Sequence, residues 1–187
     1  GDGPRECVQR TDELTGNIAM IGAGEPVLGV VVAPATGLLY YARTGEGAWK
    51  RAGDGQPQRL RSTLSDPSEP LRIVESRSHP SPALDRFLGQ FTIAERVKSG
   101  SSLKFCLVAD GRADVYPRLG PTMEWDVAAG DCVYRNSGYP EPHPGTLRYN
   151  KPSLKNPNFV IGLKPGTYAL PDDERSQTAD GRSQQGT

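Results

Sequence analysis

The sequence has few of the residues that form disulfide frameworks or zinc sites. It contains three cysteines, Cys7, Cys106 and Cys132, and two histidines, His79 and His143. No pair of cysteines has the Cys-x-x-Cys spacing, and an odd set of thiols does not make a disulfide framework. Both histidines lie in proline-rich surroundings, which argues against a zinc site of His and Cys ligands. We therefore expect reduced thiols and a cytoplasmic location, with peripheral association at the inner membrane as an alternative.

The sequence also lacks a net charge and a long apolar run. Lysine plus arginine and aspartate plus glutamate each number 22, which argues against a protein that binds nucleic-acid polymers or membrane surfaces through its overall charge. The longest apolar run covers residues 27–35, far too short for a transmembrane helix. The chain starts at Gly1 without a methionine or the features of a signal peptide, and we expect it to be a fragment.

A helix is predicted near residue 125 from the spacing of apolar side chains. They recur at i, i+3, i+4, i+7 and i+8: Trp125, Ala128, Ala129, Cys132 and Val133. This is the stripe of a helix that buries one face. Asp126 lies off the stripe in the first turn, where a carboxylate gains from the helix N-terminus and can face a cleft. The alternative for Asp126 is a solvated first-turn residue.

Short strands separated by turns are predicted in the first part of the chain. They cover residues 17–21, 26–34, 38–42 and 47–51. Close spacing with Gly-containing turns predicts an antiparallel meander. The polar, Pro- and Gly-containing segment 52–70 is predicted to be a linker.

The pattern then changes to strands that alternate with helices. Strands are predicted at 71–75, 93–98 and 113–116, and a last strand at 159–163. Helices are predicted after Ser81, over residues 103–109 and around Trp125. Repeated strand, turn and helix units predict an α/β fold with a largely parallel sheet. The polar segment 164–187 is predicted to be disordered.

Small and cationic residues follow the predicted parallel strands. Ligands bind beyond the carboxyl ends of such strands, and three ends carry 76–79, 100–104, and Arg118 with Asp126. Lysine and arginine donors with small residues suit an anionic, phosphate-bearing ligand. Read singly, the serines could instead cap helices, and Lys104 and Arg118 could be solvated charges.

Three segments carry a family resemblance. Residues 100–109, 113–118 and 125–130 resemble, in order and spacing, the bacterial CysQ-type 3'(2'),5'-bisphosphate nucleotidases. These belong to the inositol monophosphatase-like family of magnesium-dependent, lithium-sensitive phosphatases. The resemblance implies the C-terminal part of a layered α/β/α/β/α sandwich. Residues 1–51 would be the remainder of the first, metal-site sheet, and residues 71–163 the α/β substrate-binding half.

The resemblance also implies a set of site residues. Asp2 and Asp126 match positions that bind the catalytic Mg²⁺. The positions that match the substrate site are Gly3, Ser78, His79, Gly100, Ser101, Lys104 and Arg118. Pro4 stands where the family has a threonine, and the paired glutamates and first aspartate of the family would precede residue 1. No intact catalytic residue is therefore expected, and activity of this chain should be impaired.

The family reaction is hydrolysis of 3'-phosphoadenosine 5'-phosphate to AMP and phosphate, in sulfate assimilation. The resemblance thus implies a small nucleotide bisphosphate as the binding partner. Two alternatives stay open: an inositol-phosphate phosphatase of the same superfamily, and a truncated, non-catalytic protein that binds a nucleotide. A missing upstream segment, or self-association through the sheet it would cover, is also expected.

Overall fold

The computed structural model of the chain describes residues 14–77, 81–100, 102–138 and 147–171. Its first part is a five-stranded antiparallel sheet with the strands in sequence order. The strands are β1 Gly16–Gly22, β2 Glu25–Ala33, β3 Leu38–Arg43, β4 Gly47–Ala52 and β5 Gln58–Arg59. The predicted meander is confirmed. Strand β5 pairs with β4 inside the segment predicted as a linker, so this segment is partly sheet.

Tight turns set the register of this sheet. Gly24 has a φ of 77° between β1 and β2, and Gly37 has a φ of 65° after the short 3₁₀ helix Pro34–Thr36. Glycine adopts these left-handed conformations without the steric cost that other residues meet. The connections are therefore short, and each strand returns beside the one before it.

The second part of the chain alternates strands and helices. Its elements are β6 Leu71–Glu75, α1 Pro82–Leu88, β7 Ile93–Lys98, α2 Leu103–Ala109, β8 Tyr116–Arg118, β9 Thr122–Met123, α3 Glu124–Arg135, β10 Lys155–Asn156 and β11 Phe159–Ile161. Strands β6 and β7 are parallel, and the backbone N–H of Val74 donates to the Val115 carbonyl at 2.9 Å. Strand β11 pairs with β8 antiparallel. The single bridge between Ile73 and Val115 places the segment before β8 parallel to β6, so β7, β6 and this segment run parallel as predicted, whereas β11 is antiparallel to β8. Strand β8 begins later than predicted.

Helix α3 packs against the antiparallel sheet. A Cβ on Gly29 of β2 would lie 2.6 Å from the Ala129 carbonyl oxygen, so the backbones meet at this point. The buried stripe of α3 includes Ala128, Ala129, Cys132 and Val133. The prediction that Trp125 belongs to this stripe is wrong, because its side chain is 62% exposed. Trp125 lies in the first turn, one turn before the helix reaches Gly29.

One hydrophobic cluster connects the antiparallel sheet to the second part of the chain, and a separate, smaller cluster lies between β6 and α1. Val31 and Tyr40 of the antiparallel sheet belong to the same buried cluster as Phe105, Tyr116 and Phe159. The last three form an aromatic group with ring centroids 5.4 to 5.6 Å apart. Aromatic edges and faces at this spacing attract one another beyond simple burial. This packing fixes α2, β8 and β11 relative to one another.

Candidate functional site

A cleft lies at the carboxyl ends of the parallel strands. Its volume is about 300 Å³, and we name it the Arg118 cleft. It is lined by Ser76, Ser81, Leu84, Tyr116, Pro117, Arg118, Leu119, Gly120 and Pro121. The end of β6 and the end of β8 therefore open into the same space, as expected for parallel strands.

Arg118 has an incomplete set of hydrogen bonds. One terminal nitrogen donates to the Pro121 carbonyl oxygen at 3.1 Å. Its Nε is buried and has no hydrogen-bond partner within the described part of the chain. A buried donor without a partner costs about 1–3 kcal/mol, so such a group marks a place where a ligand or water completes the bonding.

Lys104 lies beside the ring of Tyr116. Its Nζ is 5.4 Å from the ring centroid and donates to the Ser99 carbonyl oxygen at 3.3 Å. Burial raises the pKa of Tyr116 to about 12, and the nearby charge of Arg118 only partly opposes this. The Tyr116 hydroxyl therefore stays protonated at neutral pH. A buried lysine over an aromatic face keeps a cation close to the cleft.

The turn before α2 is held between β1 and α3. Gly100 and Ser102 are both buried. The Ser102 hydroxyl donates to the Asn17 side-chain oxygen and lies 3.3 Å from the Thr15 hydroxyl. On the other side, a Cβ on Gly130 would lie 3.1 Å from the Ser102 carbonyl oxygen. Ser102 does not cap α2 through its side chain, because this hydroxyl bonds to β1 instead.

Sequence reasoning missed the contribution of Thr15 and Asn17. A polar Asn17 in an otherwise apolar strand was the available signal. Asparagine is depleted in strands, so its presence indicates a specific partner. That partner is 85 positions away in the chain, beyond the reach of local pattern.

Asp126 occupies an exposed position in the first turn of α3. Its carboxylate accepts a hydrogen bond from the backbone N–H of Met123 at 2.8 Å. This bond satisfies one of the free donors at the start of the helix. Asp126 therefore acts locally as a helix-start residue, while its exposed carboxylate has capacity for a further partner.

The described residues do not make a complete metal site. No group of three or more His, Cys, Asp or Glu side chains among them is placed to hold a metal ion. Magnesium takes six oxygen ligands, and it is usually bound by one or two carboxylates with waters and substrate phosphates. Asp126 could supply one such ligand, and its predicted partner Asp2 lies outside the described residues.

The predicted site residues fall into two groups. Gly100, Lys104, Arg118 and Asp126 are described and lie near Tyr116 or the ends of the parallel strands. The others lie outside the described residues: Asp2, Gly3, Pro4, Ser78, His79 and Ser101. The binding roles of both groups stay predictions.

An antiparallel sheet, parallel strands that alternate with helices, and a cleft at the strand ends lined by Arg118 define an α/β protein. The chain belongs to the inositol monophosphatase family, whose family model matches residues 2–165. Proteins of this family are generally metal-dependent phosphatases. Within the described residues, no helix has the length and apolar character needed to cross a membrane.

The sequence is similar to several CysQ proteins. It is 44% identical to the 3'(2'),5'-bisphosphate nucleotidase CysQ of Salmonella typhimurium, over 87% of this chain and 65% of that protein. It is 44% identical to the enzyme of the same name from Escherichia coli K12, over 73% of this chain and 54% of that protein. The chain thus spans between about half and two thirds of the length of these curated relatives.

Solved structures show the same fold. CysQ of Bacteroides thetaiotaomicron, a bacterial member of the inositol monophosphatase family, matches with a TM-score of 0.72 and 39% identity. The match covers 85% of this chain and 66% of that chain. Mycobacterium tuberculosis SuhB matches with a TM-score of 0.62 and 26% identity, over 72% of this chain and 56% of that chain. The predicted α/β fold class is confirmed.

Proposed function

We propose that the chain is the nucleotide-binding part of a magnesium-dependent phosphatase that hydrolyses 3'-phosphoadenosine 5'-phosphate to AMP and phosphate. Similarity to proteins named 3'(2'),5'-bisphosphate nucleotidase supports this substrate class. A place in sulfate assimilation and a cytoplasmic location belong to the same proposal. The free, buried thiols of Cys106 and Cys132 agree with a reducing compartment.

The observation that carries the proposal is Arg118, which lines the cleft and whose buried Nε has no hydrogen-bond partner among the described residues. Arginine binds phosphate oxygens through a planar fork of donors, which supplies both affinity and orientation. In the proposed complex, Arg118 completes its bonds on one phosphate group of the nucleotide. Lys104 adds a second cationic side chain close to Tyr116, and Gly100, which carries no side chain itself, is buried in the turn before α2.

The proposed magnesium dependence rests on the family and on Asp126. In this reaction class the metal activates water and neutralises charge on the transferred group. No group of three or more ligand side chains among the described residues is placed to hold the ion, so Asp126 would act together with waters, substrate phosphates and groups outside the described residues. In the proposed reaction, the described residues bind and orient the nucleotide.

A second candidate is a nucleotide-binding protein without catalytic activity. One observation favours it: Pro4 stands at the position where the family has a threonine. Proline has neither a hydroxyl to orient water nor an N–H to bind phosphate. We therefore propose that this chain hydrolyses its substrate poorly even where it binds it.

Phosphate release and nucleotide binding, measured on the same preparation, separate these candidates. The purified chain is mixed with 3'-phosphoadenosine 5'-phosphate and Mg²⁺. We expect binding by calorimetry with turnover well below the usual enzyme range of about 1–1000 per second. Turnover within that range would overturn the proposed impairment. An absence of binding would overturn the nucleotide-binding function itself.

Asp126→Asn tests the proposed metal contact without relying on activity. We expect Mg²⁺ with AMP to raise the thermal unfolding midpoint of the unmodified chain but not that of the variant. Without metal the variant should lose about 1 kcal/mol or less of stability, because only a helix-start carboxylate changes. An equal metal-dependent shift in both proteins would show that Asp126 does not bind the ion.

A further inference from the structure

Three polar side chains join the antiparallel sheet to the start of α2. The Ser102 hydroxyl donates to the Asn17 side-chain oxygen, and the Asn17 side-chain nitrogen donates to the Thr15 hydroxyl at 3.1 Å. The Thr15 and Ser102 hydroxyls lie 3.3 Å apart. Ser102 is only 2% exposed, whereas Asn17 is exposed, so this hydrogen bond lies between a buried side chain and the protein surface. We name Thr15, Asn17 and Ser102 the strand–turn cluster.

The strand–turn cluster lies opposite a close backbone contact with α3. The Ser102 carbonyl oxygen approaches Gly130 so closely that a Cβ there would lie 3.1 Å away. Gly130 is four residues after Asp126, and residues with this spacing lie on the same face of a helix. Ser102 is therefore held from two sides, by β1 and by the helix that carries Asp126.

The position of Ser102 determines the position of Lys104. Ser102 immediately precedes α2, and its carbonyl accepts the backbone N–H of Phe105 at 3.2 Å. Lys104 lies in the first turn of this helix, with its Nζ beside Tyr116 of the Arg118 cleft. A shift of the helix start would therefore move the lysine relative to the cleft.

We propose that Asn17 is a positioning residue for the anion-binding cleft and acts through Ser102 on Lys104. The inference rests on the proposed function, since it assumes that the cleft binds the nucleotide phosphate. Asn17 fixes the start of α2 before the ligand arrives, so less ordering is needed on binding. The antiparallel sheet thus contributes to the site through one side chain, without touching the ligand.

Two measurements on Asn17→Ala, Ser102→Ala and the double variant test this role. The first is calorimetric binding of 3'-phosphoadenosine 5'-phosphate, for which we expect about tenfold weaker affinity in each single variant. The double variant should be no weaker than the singles, because both remove the same connection. The second is amide hydrogen exchange, where the first turn of α2 should exchange faster.

Ser62→Ala is the matched control. The Ser62 hydroxyl also contacts α2, donating to the Val108 carbonyl oxygen at 3.0 Å, but at the far end of the helix. This variant should keep the affinity of the unmodified chain and the slow exchange of the first turn of α2. Asn17→Asp keeps the oxygen that accepts from Ser102, so it should restore slow exchange in that turn.

The outcomes separate the inference from the function on which it rests. Unchanged affinity and exchange in Asn17→Ala would overturn the positioning role. If Asn17→Ala and the control Ser62→Ala lose affinity to the same extent, Asn17 has only a general structural role, and the positioning role is overturned as well. If the unmodified chain binds no nucleotide, the proposed function fails, while the exchange measurement still decides whether Asn17 holds the start of α2.

Discussion

Buried charged side chains differ in their hydrogen bonding between the two parts of the molecule. Where α3 and the following segment meet the antiparallel sheet, buried charge is fully paired: Asp131 accepts from Arg135 at 2.9 Å and from the Tyr149 hydroxyl at 2.7 Å. At the ends of the parallel strands, the buried Nε of Arg118 has no partner among the described residues. The first arrangement holds the fold together, and the second leaves bonding capacity for a ligand.

The topology of each sheet explains this difference. Antiparallel strands are joined by tight turns, and one face of the sheet packs directly on the backbone of α3 at Gly29. Parallel strands all end on the same side, and their connections place side chains around a shared cleft. Under the proposed function, the contacts that hold the fold and the residues that bind the nucleotide lie in different parts of the molecule, and the strand–turn cluster connects them.

The contact between the antiparallel sheet and α3 can be broken with one methyl group. A Cβ on Gly29 would lie 2.6 Å from both the Ala129 carbonyl oxygen and the Cys132 Cβ. We expect Gly29→Ala to lower the free energy of unfolding by about 3 kcal/mol, because neither neighbour can move without shifting the helix. Urea denaturation measures the change.

Gly120→Ala is the control for this substitution. Gly120 lines the Arg118 cleft, and an added Cβ meets no atom within 4 Å. Its effect on stability should be within about 0.5 kcal/mol. Equal effects of the two substitutions would contradict the assignment of the packing role to the antiparallel sheet.

The free energy of unfolding should depend on pH through Asp114, which bonds to Arg72 of β6. Burial works to raise the pKa of Asp114, but hydrogen bonds from Arg72 outweigh it and hold the pKa below its usual range. The stabilisation is therefore present above the unfolded pKa of about 3.9 and is lost as the pH falls through the folded value. We expect the Asp114–Arg72 pair to contribute about 1 kcal/mol to the free energy of unfolding at neutral pH. This is a low value because Arg72 is partly exposed and solvent screens the pair.

Asp114→Asn measures this contribution. The variant should be less stable than the unmodified chain at neutral pH, and the difference should shrink below about pH 4. Unfolding curves at several pH values provide the comparison. A difference that stays constant down to the acid range would show that the Arg72 pair does not depend on the charge of Asp114.

Exposed apolar side chains on β1, an edge strand among the described residues, predict a smaller effect, on self-association. Ile18 and Met20 of edge strand β1 are 68% and 57% exposed, and Val32 of β2, which pairs with Gly16 at the start of β1, is 36% exposed. Unpaired strand edges with apolar side chains favour pairing with a second copy. We expect Ile18→Lys with Met20→Lys to reduce self-association and to change stability by only about 0.5 kcal/mol. Sedimentation velocity over a range of concentrations would detect the change. A monomer before substitution would contradict the expectation.

Periodicity predicted the order and type of most elements. The apolar runs of β2 and β3 and the stripe of α3 are local signals, and the structure confirms them. Local pattern could not show that Trp125 lies before the point where α3 meets the sheet. The position of this contact is set by Gly29, where the backbones of β2 and α3 approach each other, and such tertiary packing is not visible in the local sequence.

The candidate site was only partly predictable for the same reason. Lys104 and Arg118 were identified from their positions after predicted strands and from family resemblance. The link from Asn17 to Ser102 joins residues far apart in sequence, so no local motif reports it. The unpartnered Nε of Arg118 likewise depends on the surrounding fold.

Calorimetric titration of 3'-phosphoadenosine 5'-phosphate into Arg118→Gln and Arg43→Gln tests the central claim most directly. Arg118 lines the cleft, whereas Arg43 lies on the antiparallel sheet and pairs with Glu46 on the surface. We predict that Arg118→Gln weakens binding about 10- to 100-fold, as expected for loss of hydrogen bonds to a charged group, and that Arg43→Gln leaves it unchanged. Equal affinities for both variants and the unmodified chain would contradict the assignment of nucleotide binding to the ends of the parallel strands.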